Sequence, residues 1–132
     1  MLRVLDISAS ALSAERTRMN AIAENLANAT TTRDAAGRPI PYRRKEVIFA
    51  AGGEVRGEPG VHVADVRDDS RPFRREWNPE HPDAVGGFVH YPNVNAIEEM
   101  VDMIMASRAY EANVTAMDLT KGMAAATLRL LA

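Results

Sequence analysis

The sequence predicts an α+β chain: long N- and C-terminal α-helices pairing as a coiled-coil-like core, with a small β-rich insert between them. Three observations predict it. All seven prolines fall between Pro39 and Pro92, and seven of the eight glycines between Gly37 and Gly87, so the breakers crowd the middle. Both flanks carry apolar residues at near-heptad spacing. The middle carries short strand-like runs bounded by turn residues. The expected segments are an N-terminal helix over 1–33, an extended arm and β-rich insert over 34–93, and a C-terminal helix over 94–132.

In the first segment Leu5, Leu12, Met19 and Leu26 recur every seven residues, with Ala9, Ile22 and Ala23 between them. That is a narrow stripe on a helix of about 25 residues, or roughly 37 Å. Ser8, Glu15 and Arg16 interrupt it, which makes it weak as a free-standing coiled coil. Asn25 and Asn28 near its end are unexpected, because an asparagine amide competes with the helix backbone for hydrogen bonds.

The insert holds four candidate strands, Lys45 to Ala50, Val61 to Val66, Phe73 to Trp77 and Phe88 to Tyr91. Gly52-Gly53, Glu58-Pro59-Gly60, Asn78-Pro79 and Gly86-Gly87 separate them. So little apolar content would be marginal alone, so the strands are expected to lean on neighbours, with an extended, mobile arm around 30–42. His81-Pro82-Asp83 reads as a turn.

The C-terminal segment opens with strong helix signals. Pro92 precedes it, Asn95 can cap it, and Glu98 follows three residues on, as in a capping box. Met100, Met103, Ser107, Tyr110, Val114, Met117, Lys121, Ala124, Leu128 and Leu131 then step by threes and fours. Ile97, Val101, Ile104 and Met105 widen the apolar face at the start, and a run of alanines lets neighbouring backbones approach. An antiparallel pair within one chain would satisfy these seams. Pairing with copies or relatives would satisfy more of them, because two helices present more apolar surface than they can hide from each other.

Composition excludes several function classes. The 132-residue chain has no cysteine, so disulfide, zinc-thiolate and cysteine-nucleophile chemistry are absent. Its formal net charge of −2 comes from 16 basic and 18 acidic residues spread along the chain, unlike a nucleic-acid binder. The clusters Arg43-Arg44-Lys45 and Arg71, Arg74, Arg75 have acidic neighbours and read as solvated faces, as do Asp65, Asp68, Asp69, Glu76 and Glu80. His62, His81 and His90 match no metal-ligand spacing. Neither a signal-peptide core nor a membrane-length apolar run is present. These readings leave no enzyme, no cofactor and no metal to argue for.

Asn25-Leu26-Ala27-Asn28, closing a heptad helix before a Thr-rich exit, resembles the N-terminal signature of the bacterial flagellar rod and hook family. Pro92-Asn93-Val94-Asn95, Glu99-Met100-Val101 and Ser107-Arg108-Ala109-Tyr110-Glu111-Ala112-Asn113 look like that family's C-terminal helix. The short insert is similar to that of the proximal rod subunits. Thr30 departs from the Asn, Asp or Ser more usual there, which touches only the exit geometry of the first helix.

The resemblance implies a structural subunit of the periplasmic rod, a torque-transmitting drive shaft polymerising helically around the export channel. It implies passage through the flagellar type III export apparatus without a cleaved signal peptide. Its implied partners are copies of itself and the rod proteins FlgB, FlgF, FlgG and FliE, with no nucleic acid and no membrane embedding. Together with the seams it gives an expected subunit-interaction set: Leu5, Leu12, Met19, Asn25, Leu26, Asn28, Met100, Met103, Ser107, Arg108, Tyr110, Asn113, Val114, Met117 and Leu128. The terminal helices are expected to order on assembly. Asn28 is expected to end the helix in a left-handed conformation, and Asn25 to offer its amide to a neighbouring helix and so fix register. The rival reading is a small non-polymerising helical adaptor or export chaperone.

Overall fold

A computed structural model describes residues 2–53 and 59–131. The elements run α1 (Leu2–Ala27), β1 (Lys45–Ala51), β2 (Val61–Asp68), β3 (Arg74–Trp77), β4 (Phe88–Tyr91) and α2 (Ala96–Leu131). This is the α+β arrangement expected, with strand boundaries displaced by no more than two residues. The β1–β2 turn falls partly outside the described residues, as do the side chain of Leu131 and the residue Glu58.

Asn95 starts α2 as its composition suggests. Its Oδ1 accepts the Ile97 N–H at 3.1 Å, and Glu98 Oε1 accepts from Asn95 Nδ2 at 3.1 Å. The reciprocal bond thus returns to the cap's side chain instead of its backbone. The Asn95 carbonyl accepts from Glu99 N at 3.0 Å, the first full helical turn.

The two helices pack antiparallel, because the end of α1 meets the start of α2 at Asn25 and Glu99 and contact continues along both. At 26 and 36 residues they differ in length, so α2 runs past α1; ten extra residues add about 15 Å. The shared seam is made of small and polar side chains. Ser8, Ala14, Ala21, Ile22 and Asn25 are buried on α1, facing buried Glu99, Ala106 and Thr120 on α2.

The seam of α2 is rotated from the one expected. Met103, Tyr110, Met117 and Ala124 are partly covered as expected, but the alternating positions are Glu99, Ala106, Asn113 and Thr120, each one residue before Met100, Ser107, Val114 and Lys121. Met100 is left 57% exposed and Leu128 68%. Small residues let the two backbones approach, and the bulkier apolar ones are left on the outer faces.

The insert is two antiparallel ribbons. In the first, β1 pairs β2 from Lys45↔Asp68 to Ala51↔Val61, with a bulge between Ile48 and Phe49. Its tip docks on α1: Ser10 Oγ donates to Ile7 O at 2.7 Å and accepts from Val61 N at 3.2 Å. Gly60, at φ +142°, permits that approach, because a Cβ there would lie 2.6 Å from Ser10 Oγ. The second ribbon pairs Arg74↔Tyr91 through Trp77↔Phe88. Val89 is fully buried on its inner face, while Trp77 stacks edge-on to Phe88 at 4.9 Å and stays 65% exposed.

The segment 30–42 is a loop that turns back on itself between Asp34 and Arg38, in place of the extended arm expected, and it is tied to the second ribbon's turn. Thr32 Oγ1 donates to Asp83 Oδ2 at 2.8 Å, and the Arg33 guanidinium sits 2.6 Å from Asp83 Oδ1. Tyr42 N donates to Thr31 O at 3.1 Å, closing the base of the segment. His81-Pro82-Asp83 is a turn, with Asp83 N donating to His81 Nδ1 at 3.1 Å.

Candidate assembly interface

Where helices and insert meet, a buried polar knot forms around Asn25. Its Nδ2 donates to Glu99 Oε2 and to Lys45 O, each at 3.0 Å. Its Oδ1 accepts from Lys45 N at 2.8 Å and from the Tyr42 hydroxyl at 3.0 Å. Both donors and both acceptor sites of the amide are satisfied. The amide offers Lys45 the N–H and C=O that a neighbouring strand would offer. Leucine could not do this, and aspartate would lack the donor that Glu99 needs.

Glu99 is fully buried, and Arg44 makes that tolerable. Arg44 Nε lies 2.5 Å from Glu99 Oε1, and its terminal nitrogens reach Glu46 at 3.2 Å, Asp102 at 3.5 Å and Asp69 at 3.6 Å. One guanidinium just before β1 thus gathers carboxylates from β1, from the residue after β2 and from α2. A buried charge must be paired and hydrogen-bonded to be stable, and Glu99 is both. Arg44 and Asp69 are therefore inside, not on the solvated face their sequence context suggested: the Arg44 side chain is 14% exposed and that of Asp69 5%.

Asp69 is held from two sides. Burial pushes its carboxyl up, but the Arg71 backbone N–H at 2.8 Å and the Arg71 guanidinium at 2.7 Å, with Arg44 nearby, outweigh burial and hold it below its ordinary 3.8. Asn93 fastens the same point to the base of α2, accepting from Arg44 N at 2.9 Å and donating to Asp69 O at 3.3 Å. Burial, with Glu24, Asp68 and Glu99 around it, raises the Tyr42 phenol to about 12.

Asn28 departs from its expected role. Among the described residues no non-glycine has positive φ, so the helix does not end there in a left-handed turn. Asn28 instead caps the carbonyl end through its side chain. Its Nδ2 donates to Glu24 O at 2.9 Å, and its Oδ1 accepts from Thr31 Oγ1 at 3.1 Å. The side chain thus adds a second donor to a helix-end carbonyl that already accepts the Asn28 N–H, without the steric cost of left-handed backbone.

The remaining expected interface residues divide by face. Leu5, Leu12, Met19, Leu26, Met103, Ser107, Tyr110, Asn113 and Met117 lie partly covered along the helix pair, and Met100, Arg108, Val114 and Leu128 point outward. Asn113 is engaged with its own helix, donating to Ala109 O at 2.9 Å. Large apolar side chains cluster on the uncovered faces of α2: Ile97, Met100, Val101, Ile104 and Met105 at its start, and Leu119, Met123, Leu128 and Leu130 toward its end. Clusters of exposed large apolar side chains are the kind of surface that protein contacts cover.

Asn25 was legible as an anomaly, but its partners Tyr42, Lys45 and Glu99, and the Arg44, Asp69 and Asn93 cluster behind Glu99, were not singled out. A carboxylate in the first turns of α2 and an arginine at the start of a strand were the available signals. What they lacked was any sequence spacing that joins them. A cleft of about 390 Å³ between α1 and β1 is lined by Arg18, Ile22, Arg44, Val47, Phe49 and Asp102. Among the described residues, no group of three or more His, Cys, Asp or Glu could hold a metal ion, and no helix is long and apolar enough to cross a membrane.

Comparison with known proteins points in one direction. The family model described as "Flagella basal body rod protein" matches residues 5–33, and "Flagellar basal body rod FlgEFG protein C-terminal" matches residues 85–130. The chain is similar to the flagellar basal-body rod protein FlgC of Bacillus subtilis, at 42% identity over 135 residues covering 90% of each chain. It is 42% identical over 134 residues to that of Escherichia coli O157:H7, covering 98% of this chain and 97% of the relative. Against that of Borreliella burgdorferi it is 38% identical, covering 96% and 95%.

Proposed function

Because the chain belongs to the flagellar basal-body rod protein family and is a structural subunit of the rod, we propose that its terminal helices polymerise it helically into a torque-transmitting shaft. The observation that carries this is the outer surface of α2. Ile97, Met100, Val101 and Ile104 at one end, and Leu119, Met123 and Leu128 at the other, are too apolar to serve a lone helix pair. Stacking such surfaces head to tail buries them and generates an open filament, not a closed ring.

In this reading the knot at Asn25, Arg44 and Glu99 holds the near ends of the helices and sets the insert's angle. The far ends, including the overhang of α2, order as neighbours add. Copies of itself and other rod subunits, FlgB, FlgF, FlgG and FliE, supply the neighbouring helices. The chain reaches a periplasmic location through the flagellar type III export apparatus. It acts through contact alone and carries no catalytic step.

The test is incorporation. Met100→Asp and Leu128→Asp place charge on the outer faces and leave the helix pair untouched. Each should abolish recovery of the chain in isolated basal bodies while circular dichroism of the monomer is unchanged. Normal incorporation of both variants would overturn the proposal and favour a non-polymerising adaptor.

A further inference from the structure

The outer faces of α2 carry methionines, whose thioethers an oxidant can rewrite. Met100 is 57% exposed, Met105 59% and Met123 59%, each set among isoleucine, leucine or valine. Met19 and Met103 are partly covered along the helix pair. The chain has no cysteine, so a two-electron oxidant meets no thiolate and the thioethers are its most reactive sulfur. Branched hydrocarbon side chains in the same patches are inert to such an oxidant.

We infer that Met100, Met105 and Met123 are an oxidative modification site, at which sulfoxide formation by a peroxide switches the outer faces of α2 from assembly-competent to assembly-blocked. In the step, the peroxide O–O bond breaks, one oxygen forms an S=O bond on the thioether, and the other leaves as water. Sulfur loses the two electrons that peroxide gains. The product is a polar acceptor in the middle of an apolar patch, and buried in a helix interface it has no donor to meet. Methionine sulfoxide reductases reverse the change while the subunit is free. Once packed, the same sulfurs are shielded. This inference rests on the proposed reading of α2 as the polymerising surface.

The experiment treats the purified full chain with hydrogen peroxide, maps sulfoxides by peptide mass spectrometry over time, and follows self-association by sedimentation velocity. Met100, Met105 and Met123 should oxidise before Met19 and Met103, and association should weaken by about tenfold or more, a loss that sulfoxide reductase restores. The volume-conserving triple variant Met100→Leu, Met105→Leu, Met123→Leu should associate normally and ignore peroxide. An untreated chain that stays monomeric at every concentration overturns the underlying reading of α2, and this inference with it. An untreated chain that associates, with an oxidised chain that associates equally or a triple variant that remains peroxide-sensitive, overturns this inference alone.

Discussion

Asn25 and Glu99 lie 74 positions apart in the chain and share a buried hydrogen bond of 3.0 Å, with Asn25 1% exposed and Glu99 0%. The bond joins the last turn of the first helix to the first turns of the second, and through Lys45 and Arg44 it joins both to the insert. This one amide and one carboxylate thus tie both helices to the insert.

Replacing Asn25 tests that role. Asn25→Leu leaves the Lys45 backbone pair, the Tyr42 hydroxyl and Glu99 Oε2 without their partner. The expected loss is about 3 kcal/mol of unfolding free energy in a denaturant melt. Asn25→Asp should cost at least as much near neutral pH, since it sets a second carboxylate against Glu99. A loss under about 0.5 kcal/mol for both would mean that the knot is not what joins the helices to the insert.

Arg44 and Glu99 should behave as a coupled pair. Arg44→Met strands a fully buried carboxylate and is expected to cost about 3–5 kcal/mol. Adding Glu99→Leu removes the stranded charge, so the double variant should be more stable than Arg44→Met alone. Additive losses in this double-mutant cycle would show that the two side chains do not depend on each other.

Acid stability follows from Asp69. Its folded-state pKa lies below the ordinary 3.8, so its stabilisation is present above the unfolded value and disappears as pH falls through the folded one. Melting temperature should therefore hold down to about pH 4 and drop below it. Asp69→Asn should lower stability at neutral pH and flatten that acid limb; an equally steep limb in the variant would assign the acid response to other carboxylates.

At the alkaline end the sign reverses for Tyr42. Its phenol is raised from 10.0 to about 12, so its contribution is intact below pH 10 and is lost as pH rises through about 12. Tyr42→Phe removes the 3.0 Å bond to Asn25 and should cost about 1 kcal/mol near neutral pH. Near-ultraviolet titration should show the late-ionising tyrosine in the parent and not in the variant.

Gly87 has a cheap optical readout. At φ +81° it is left-handed, and a Cβ there would sit 2.5 Å from the ring of Trp77, the only tryptophan. Gly87→Ala should displace the indole from Phe88, shift its fluorescence emission and destabilise the second ribbon by about 1–3 kcal/mol. Unchanged emission would mean that the ring is not held against this glycine.

Elements were far more legible than their partners. Breaker placement and periodicity are local signals, and they located both helices and all four strands. The rotation of the α2 seam was hidden because apolar residues surround this helix, so a three-four spacing can be drawn along more than one face. Contact with α1 is instead decided by which face lets backbones approach, and Ala106 does so where Met100 does not. Arg44 looked solvated because its sequence neighbours are charged. Its burial depends on Glu99 and Asp69, which only the folded topology brings together. Asn28 was recognised as a helix end, but its side chain, not its backbone, does the capping.

The bond between Asn25 and Glu99 also sets an order of events in time. On the export route proposed above, the clasp stays open until Asn25 and Glu99 stand on the same side of the pore, whichever end leads. Until then one helix has no partner helix to close upon. On that route the subunit arrives as thread and is fastened only once both residues have emerged.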